Sequence, residues 1–161
     1  MGADGVNGNL TIGIAVKHIA PTPYQQAALA RILFEFAITP ADADRSYLYT
    51  GPIGAGSDVD IDLQTITDAY GSAITATELK AIYVLADEDN GSTIVVEPGV
   101  ANPWVSWLKA GSELVLPAGG AVCGVSPDTA YVVGAANKVL KITNDDGAAI
   151  ATYTILVVTA D

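Results

Sequence analysis

Residues 113–133 read ELVLPAGGAVCGVSPDTAYVV: three short apolar runs, Glu113–Leu116, Ala121–Val125 and Ala130–Val133, cut apart by Pro117-Ala118-Gly119-Gly120 and by Pro127-Asp128. Proline presets φ at the first corner of a turn and glycine supplies positive φ, so the segment reads as strands joined by chain reversals. The same punctuation extends outward on both sides. Leu79–Leu85 (LKAIYVL) and Thr93–Glu97 (TIVVE) come before it, separated by Asp89-Asn90-Gly91 and closed by Pro98-Gly99. Lys138–Thr143 (KVLKIT) and Ile150–Val158 (IATYTILVV) come after it, separated by Asp145-Asp146-Gly147. Many short β runs at regular spacing predict an all-β antiparallel sandwich.

Towards the N-terminus, Asp58-Val59-Asp60-Ile61-Asp62-Leu63 alternates charge with apolar residues, which predicts a strand with one buried and one solvated face. Tyr47–Tyr49 reads as a short strand followed by a turn over Gly51–Gly56, and Asp68-Ala69-Tyr70-Gly71 as another turn. Residues 1–20 read as an N-terminal arm. Its start, MGADGVNGN, is rich in Gly and Asn and predicts flexibility, and Leu10–Ile19 gives a possible first strand. The next stretch admits two readings: a short helix over residues 22–31, capped by Thr22-Pro23-Tyr24-Gln25, or a loop leading into a strand over Arg31–Thr39 (RILFEFAIT). Residues 21–161 are expected to make a single β-sandwich domain with at most one short helix.

The composition narrows the function. At 161 residues, with 50% apolar residues and only 16% charged, the chain can bury a real core and still has too little charge to coat a lone domain generously. Strand faces covered by other subunits are expected. A net charge of −11 repels phosphate backbones and disfavours nucleic acid. No apolar run approaches the roughly 18–20 residues that span a bilayer, and the first residues lack the basic and apolar regions of a secretory signal. The single cysteine, Cys123, has no partner for a disulfide within the chain.

Few residues look chemical, and no catalytic residue, cofactor or metal is assigned. His18 is the sole histidine and no Gly-x-Ser-x-Gly elbow accompanies it; Cys123 has no second His or basic neighbour to form a thiolate. Asp87-Glu88-Asp89-Asn90-Gly91 gathers oxygen ligands but lacks the helix of a calcium hand, so a solvated hairpin tip is the reading preferred. Asp58, Asp60 and Asp62 on one strand face read as a charged edge that resists wrong pairing in preference to a cation site. Trp104 and Trp107 are the candidate interface residues: a core or subunit contact would bury them, whereas a sugar-binding platform would expose them.

Read in order, Asp60-Ile61-Asp62-Leu63, Ile66-Thr67-Asp68-Ala69-Tyr70-Gly71 and Leu79-Lys80-Ala81-Ile82-Tyr83-Val84 resemble the "DLDL…LTDAFG…VKAIYV" stretch of small tailed-phage virion proteins. Asn102-Pro103-Trp104, the Leu116–Gly120 turn, Ser126-Pro127-Asp128, Leu140–Asn144 and Thr152–Val158 continue the resemblance, which spans residues 34 to 158. It implies a jelly-roll-like component of the virion, made in the host cytoplasm. The role implied first is capsid decoration (a cement protein): a homotrimer on the outer shell that bridges neighbouring major capsid protein subunits. A tail or fibre component is the nearest alternative, and a carbohydrate- or receptor-binding sandwich the rival from another class.

Overall fold

The computed structural model describes residues 8–18, 28–38, 45–68, 71–126 and 129–160, with the first two segments described as backbone. Among these residues there are eleven strands and no helix. β1 (Gly8–His18) and β2 (Ala28–Ile38) pair antiparallel as a separate two-stranded sheet. The first-strand expectation at Leu10–Ile19 therefore holds as far as His18, and Ile19 lies outside the described residues. The helix reading of residues 22–31 fails at residues 28–31, which lie in β2, and its earlier part lies outside the described residues. The strand reading won because Ile32, Phe34, Phe36 and Ile38 alternate with period two. The register sets Leu10 opposite Phe36, Ile12 opposite Phe34 and Ile14 opposite Ile32. The same ladder pairs Thr11 with Glu35, Ala15 with Arg31 and Lys17 with Leu29.

The remaining strands are β3 (Arg45–Ile53), β4 (Asp58–Asp62), β5 (Glu78–Ala86), β6 (Ile94–Pro98), β7 (Leu114–Leu116), β8 (Ala121–Val125), β9 (Tyr131–Val132), β10 (Val139–Asn144) and β11 (Ala151–Ala160). They form two antiparallel sheets, β4-β10-β6-β7 and β3-β11-β5-β8, with β9 continuing the β8 edge alongside β5. Their pairing is nested. Leaving β9 aside, the first strand of the sandwich pairs with the last (β3 with β11), the second with the next to last (β4 with β10), then β5 with β8 and β6 with β7. A long hairpin folded over on itself in this way is a jelly roll, so the expected fold is the one observed.

Each inward face supplies alternate residues to one core, among them Ile82 and Val84 of β5, Ile155 and Val157 of β11, and Leu140 and Ile142 of β10. Leu63, Ile74 and Ala76 from the connection between β4 and β5 close one end of it. A register shift at Val158/Thr159 leaves Lys80 as the extra residue of a bulge in β5. The bulge turns both Leu79 and Ile82 into the core.

Two expected turns differ. Gly51 does not begin a turn, because β3 runs on to Ile53 and the reversal sits at Gly56, whose φ is +57°. Glycine stands at 51 because a Cβ there would collide with the Tyr49 phenol lying back over the strand. Asp87–Gly91 is not a hairpin tip either, since β5 and β6 belong to different sheets. It is an arch between them, held by Asn90, whose Nδ2 donates to Thr152 O at 2.8 Å and whose Oδ1 accepts from Thr152 N at 2.7 Å.

The opposite crossover, from β10 to β11, turns on Asn144, which is fully buried. Its Nδ2 donates towards Ala149 O (2.7 Å), Gly54 O (3.1 Å) and Ile53 O (3.3 Å), and its Oδ1 accepts from Ser92 Oγ (3.0 Å) and Asp146 N (3.1 Å). One side chain thereby ties the end of β3, the start of β6 and the arch into β11. Asn144→Leu leaves these buried groups unsatisfied and is expected to cost about 2–4 kcal/mol in urea unfolding. Thr143, whose buried Oγ1 has no partner, gives the opposite sign: Thr143→Val is expected to stabilise by about 1 kcal/mol. An unchanged midpoint for Asn144→Leu would remove the hub from the account.

Candidate functional site

Trp104 is fully buried within its own chain. Its Nε1 donates to Val132 O at 3.0 Å, and its ring meets Tyr131 edge-on at 6.0 Å. The same carbonyl also accepts from Ser106 Oγ (2.7 Å) and Asn137 Nδ2 (3.0 Å), which pins the 103–108 loop to β9. Trp107 is half-buried and lies over Gly124 of β8, where a Cβ would meet its indole nitrogen. The pair therefore serves as packing between loop and sheet. It forms no open stacking platform, and the sugar-binding reading loses the tryptophans it required.

The other singled-out residues are scattered. Cys123 lies half-buried on the outer side of β8, opposite Tyr83, and burial pushes its thiol pKa up, away from nucleophilic chemistry. His18 ends β1. Asp58, Asp60 and Asp62 do lie on an edge strand, the outermost of the four-stranded sheet. Asp62 is bound to Lys138 Nζ at 2.6 Å. Asp60 stands opposite Lys141, which in turn reaches Glu97 at 2.8 Å and is held above its ordinary pKa chiefly by that hydrogen bond. Asp62 and Asp60 are thus answered by Lys138, just before β10, and by Lys141 within it, and no cluster suited to a metal occurs among the described residues.

Two surfaces stand out that neither tryptophan nor acid pattern had marked. The first is the outer face of the five-stranded sheet. Facing away from the core are Ser46, Leu48, Thr50 and Pro52 of β3 and Thr152, Thr154, Leu156 and Val158 of β11. β5 and β8 add Ala81, Tyr83, Leu85, Ala121, Cys123 and Val125. Beyond the Lys80 bulge and its Glu78 partner (3.0 Å), none of these described outward residues is charged. Leu48 is 66% exposed in the middle of β3. The four-stranded sheet shows the reverse, with Asp60, Lys141 and Glu97 aligned across three strands of its outer face.

The second is a cleft of about 350 Å³ where the edge strands β3 and β4 run beside each other, lined by Tyr47, Tyr49, Tyr153, Asp60 and Thr67 among others. Ladder phase decides what borders it. Leu63 N bonds to Lys138 O and Asn144 N to Ser57 O, so odd residues of β4 face β10 and the peptide groups of Asp60 turn away from it. Pro52 and the three acids protect the two edges from pairing with another chain. The rings of Tyr47 and Tyr49 are parallel within 3°, their centroids 6.3 Å apart, and Tyr153 tilts against Tyr49 at 5.6 Å.

No family model matches the sequence, and no curated protein does. Among solved structures the chain is similar to the crystal structure of Yersinia pseudotuberculosis-derived mitogen (YPM), at 16% identity over 73% of this chain and 87% of that one, with a TM-score of 0.39. Among the described residues, no helix is long and apolar enough to cross a membrane.

Burial, with smaller repulsion from neighbouring groups, raises Tyr47, Tyr131 and Tyr153 above the ordinary phenol value of 10.0, Tyr153 furthest. Because folding favours their neutral forms, that contribution is whole below the unfolded value and is lost as pH rises through the higher folded values. In a spectrophotometric titration of the seven tyrosines, a fraction is expected to ionise late, and unfolding stability to fall above pH about 10. A single unshifted transition would contradict the packing described for these rings.

Proposed function

We propose that this chain is a structural protein of a tailed-phage virion, most specifically a capsid decoration protein. In this reading a homotrimer sits on the outer shell and bridges neighbouring major capsid protein subunits. The observation that carries the reading is the uncharged outer face of the five-stranded sheet, centred on exposed Leu48. Such a face, uncharged and carrying an exposed leucine, is suited to cover by another subunit. The low overall charge points the same way, as does the order of sequence blocks that resembles small virion proteins.

The β1–β2 hairpin supports it further. A two-stranded hairpin is marginal alone in water, and the register of this one pairs apolar residues at Leu10/Phe36, Ile12/Phe34 and Ile14/Ile32. In the proposed assembly, the hairpin is ordered against a neighbouring subunit. Bridging then rests on many modest contacts, each burying on the order of 1,200–2,000 Å², multiplied by repetition on one lattice. No catalytic step is part of the reading; a tail or fibre location would use the same surfaces on a different scaffold.

The test is the copy number of this chain in purified virions. Decoration of the shell predicts hundreds of copies in a fixed ratio to the major capsid protein, and shells that lose heat resistance when residues 1–38 are deleted. A handful of copies per particle would move the protein to the tail, and absence from intact virions would end the proposal.

A further inference from the structure

The cleft between β3 and β4 lies apart from the outer sheet face that carries Leu48 and has the makings of a ligand site. Its wall on one side is aromatic. Tyr49 is 39% exposed, its ring parallel to that of Tyr47 and backed by Tyr153. The glycine at 51 is what allows the Tyr49 ring to lie along the strand, since a side chain there would displace it. The opposite wall is mixed: Val59, Ile61 and Ile66 line it with the exposed Thr65 and Thr67 and with Asp60, whose peptide N–H and C=O point away from β10.

Charge decides among the ligands such a cleft could take. Asp60 and Asp62 at the rim, on a chain of net charge −11, repel phosphates and acidic sugars. A cation finds little to hold, because Asp62 is bound to Lys138, Asp68 to Arg45 at 3.0 Å, and Asp60 faces Lys141. What remains is a neutral molecule with one apolar face and a rim of hydroxyls. A pyranose ring has both: its axial C–H groups suit the electron-rich face of a tyrosine, and its hydroxyls pair with peptide and threonine groups. The volume, about 350 Å³, admits one or two such rings.

We propose that the β3–β4 cleft binds a neutral oligosaccharide, with one pyranose ring seated on the exposed face of Tyr49 and its hydroxyls on the β4 edge. The site is separate from the uncharged sheet face, and it stands or falls without the virion reading.

Saturation-transfer NMR on the full chain tests it, with maltotriose, cellotriose and chitotriose as probes, followed by calorimetry on whichever binds. Transfer to ring protons of at least one probe is expected, with millimolar affinity. Tyr49→Ala is expected to weaken it by about tenfold, Tyr49→Phe to preserve it, and Leu48→Ser, on the other side of the same strand, to leave it unchanged. If Tyr49→Ala does not fold, Thr67→Val supplies the loss instead, at about threefold to tenfold. No transfer to any of the three probes, or binding that survives both Tyr49→Ala and Thr67→Val, would overturn the proposal.

Discussion

The structure depends on one pairing: β11, the last strand, lies between β3, the first strand of the sandwich, and β5. Until residues 151–160 are in place, neither β3 nor β5 has its central partner and the core has no second wall. Nested pairing of this kind joins residues about 100 positions apart, as in Ile53 with Ala151, and its loop entropy is recovered only when the whole roll closes. Two asparagines guard the closure. Asn144 holds the arch that delivers the chain into β11, and Asn90 bonds to the backbone of Thr152 as a short strand would.

That single topology places both candidate surfaces. Pairing first with last and second with next to last leaves β3 and β4 as edges of their two sheets on the same side of the sandwich. The tyrosine cleft is the gap between them. It also makes the five-stranded sheet a continuous plane, on which Leu48, Leu156 and Tyr83 become neighbours across β3, β11 and β5. The other sheet, with Asp60, Lys141 and Glu97 crossing it, is built to face water. The asymmetry of the two outer faces is the most functional statement the fold makes, because each sheet already buries its inner face in the same core.

Much of this was legible in the sequence. Strands β4 to β11 fall where alternation and turn residues put them, since period-two patterning and Gly or Pro punctuation are local signals. What escaped was long-range. Nothing near Asp87–Gly91 tells a hairpin tip from an arch between sheets, because Asn-Gly serves either; the difference lies in Thr152, more than 60 residues on. Gly51 looked like a turn glycine although it yields space to the Tyr49 ring. The tryptophans, candidates for an interface or a sugar platform, are packing within the chain, whereas the tyrosines of the cleft come from β3 and β11 and meet only through the nested ladder. Low overall charge did foreshadow an uncharged face, without saying which strands would form it.

In the proposed assembly this chain completes itself by association through the uncharged sheet face. Sedimentation equilibrium of this chain measures that association. The proposed assembly predicts a mass three times that of the 16.5 kDa chain, persisting at micromolar concentration and in moderate salt, because the contact face carries no charged residues. A monomer at every concentration, in a protein that is otherwise folded, would contradict it.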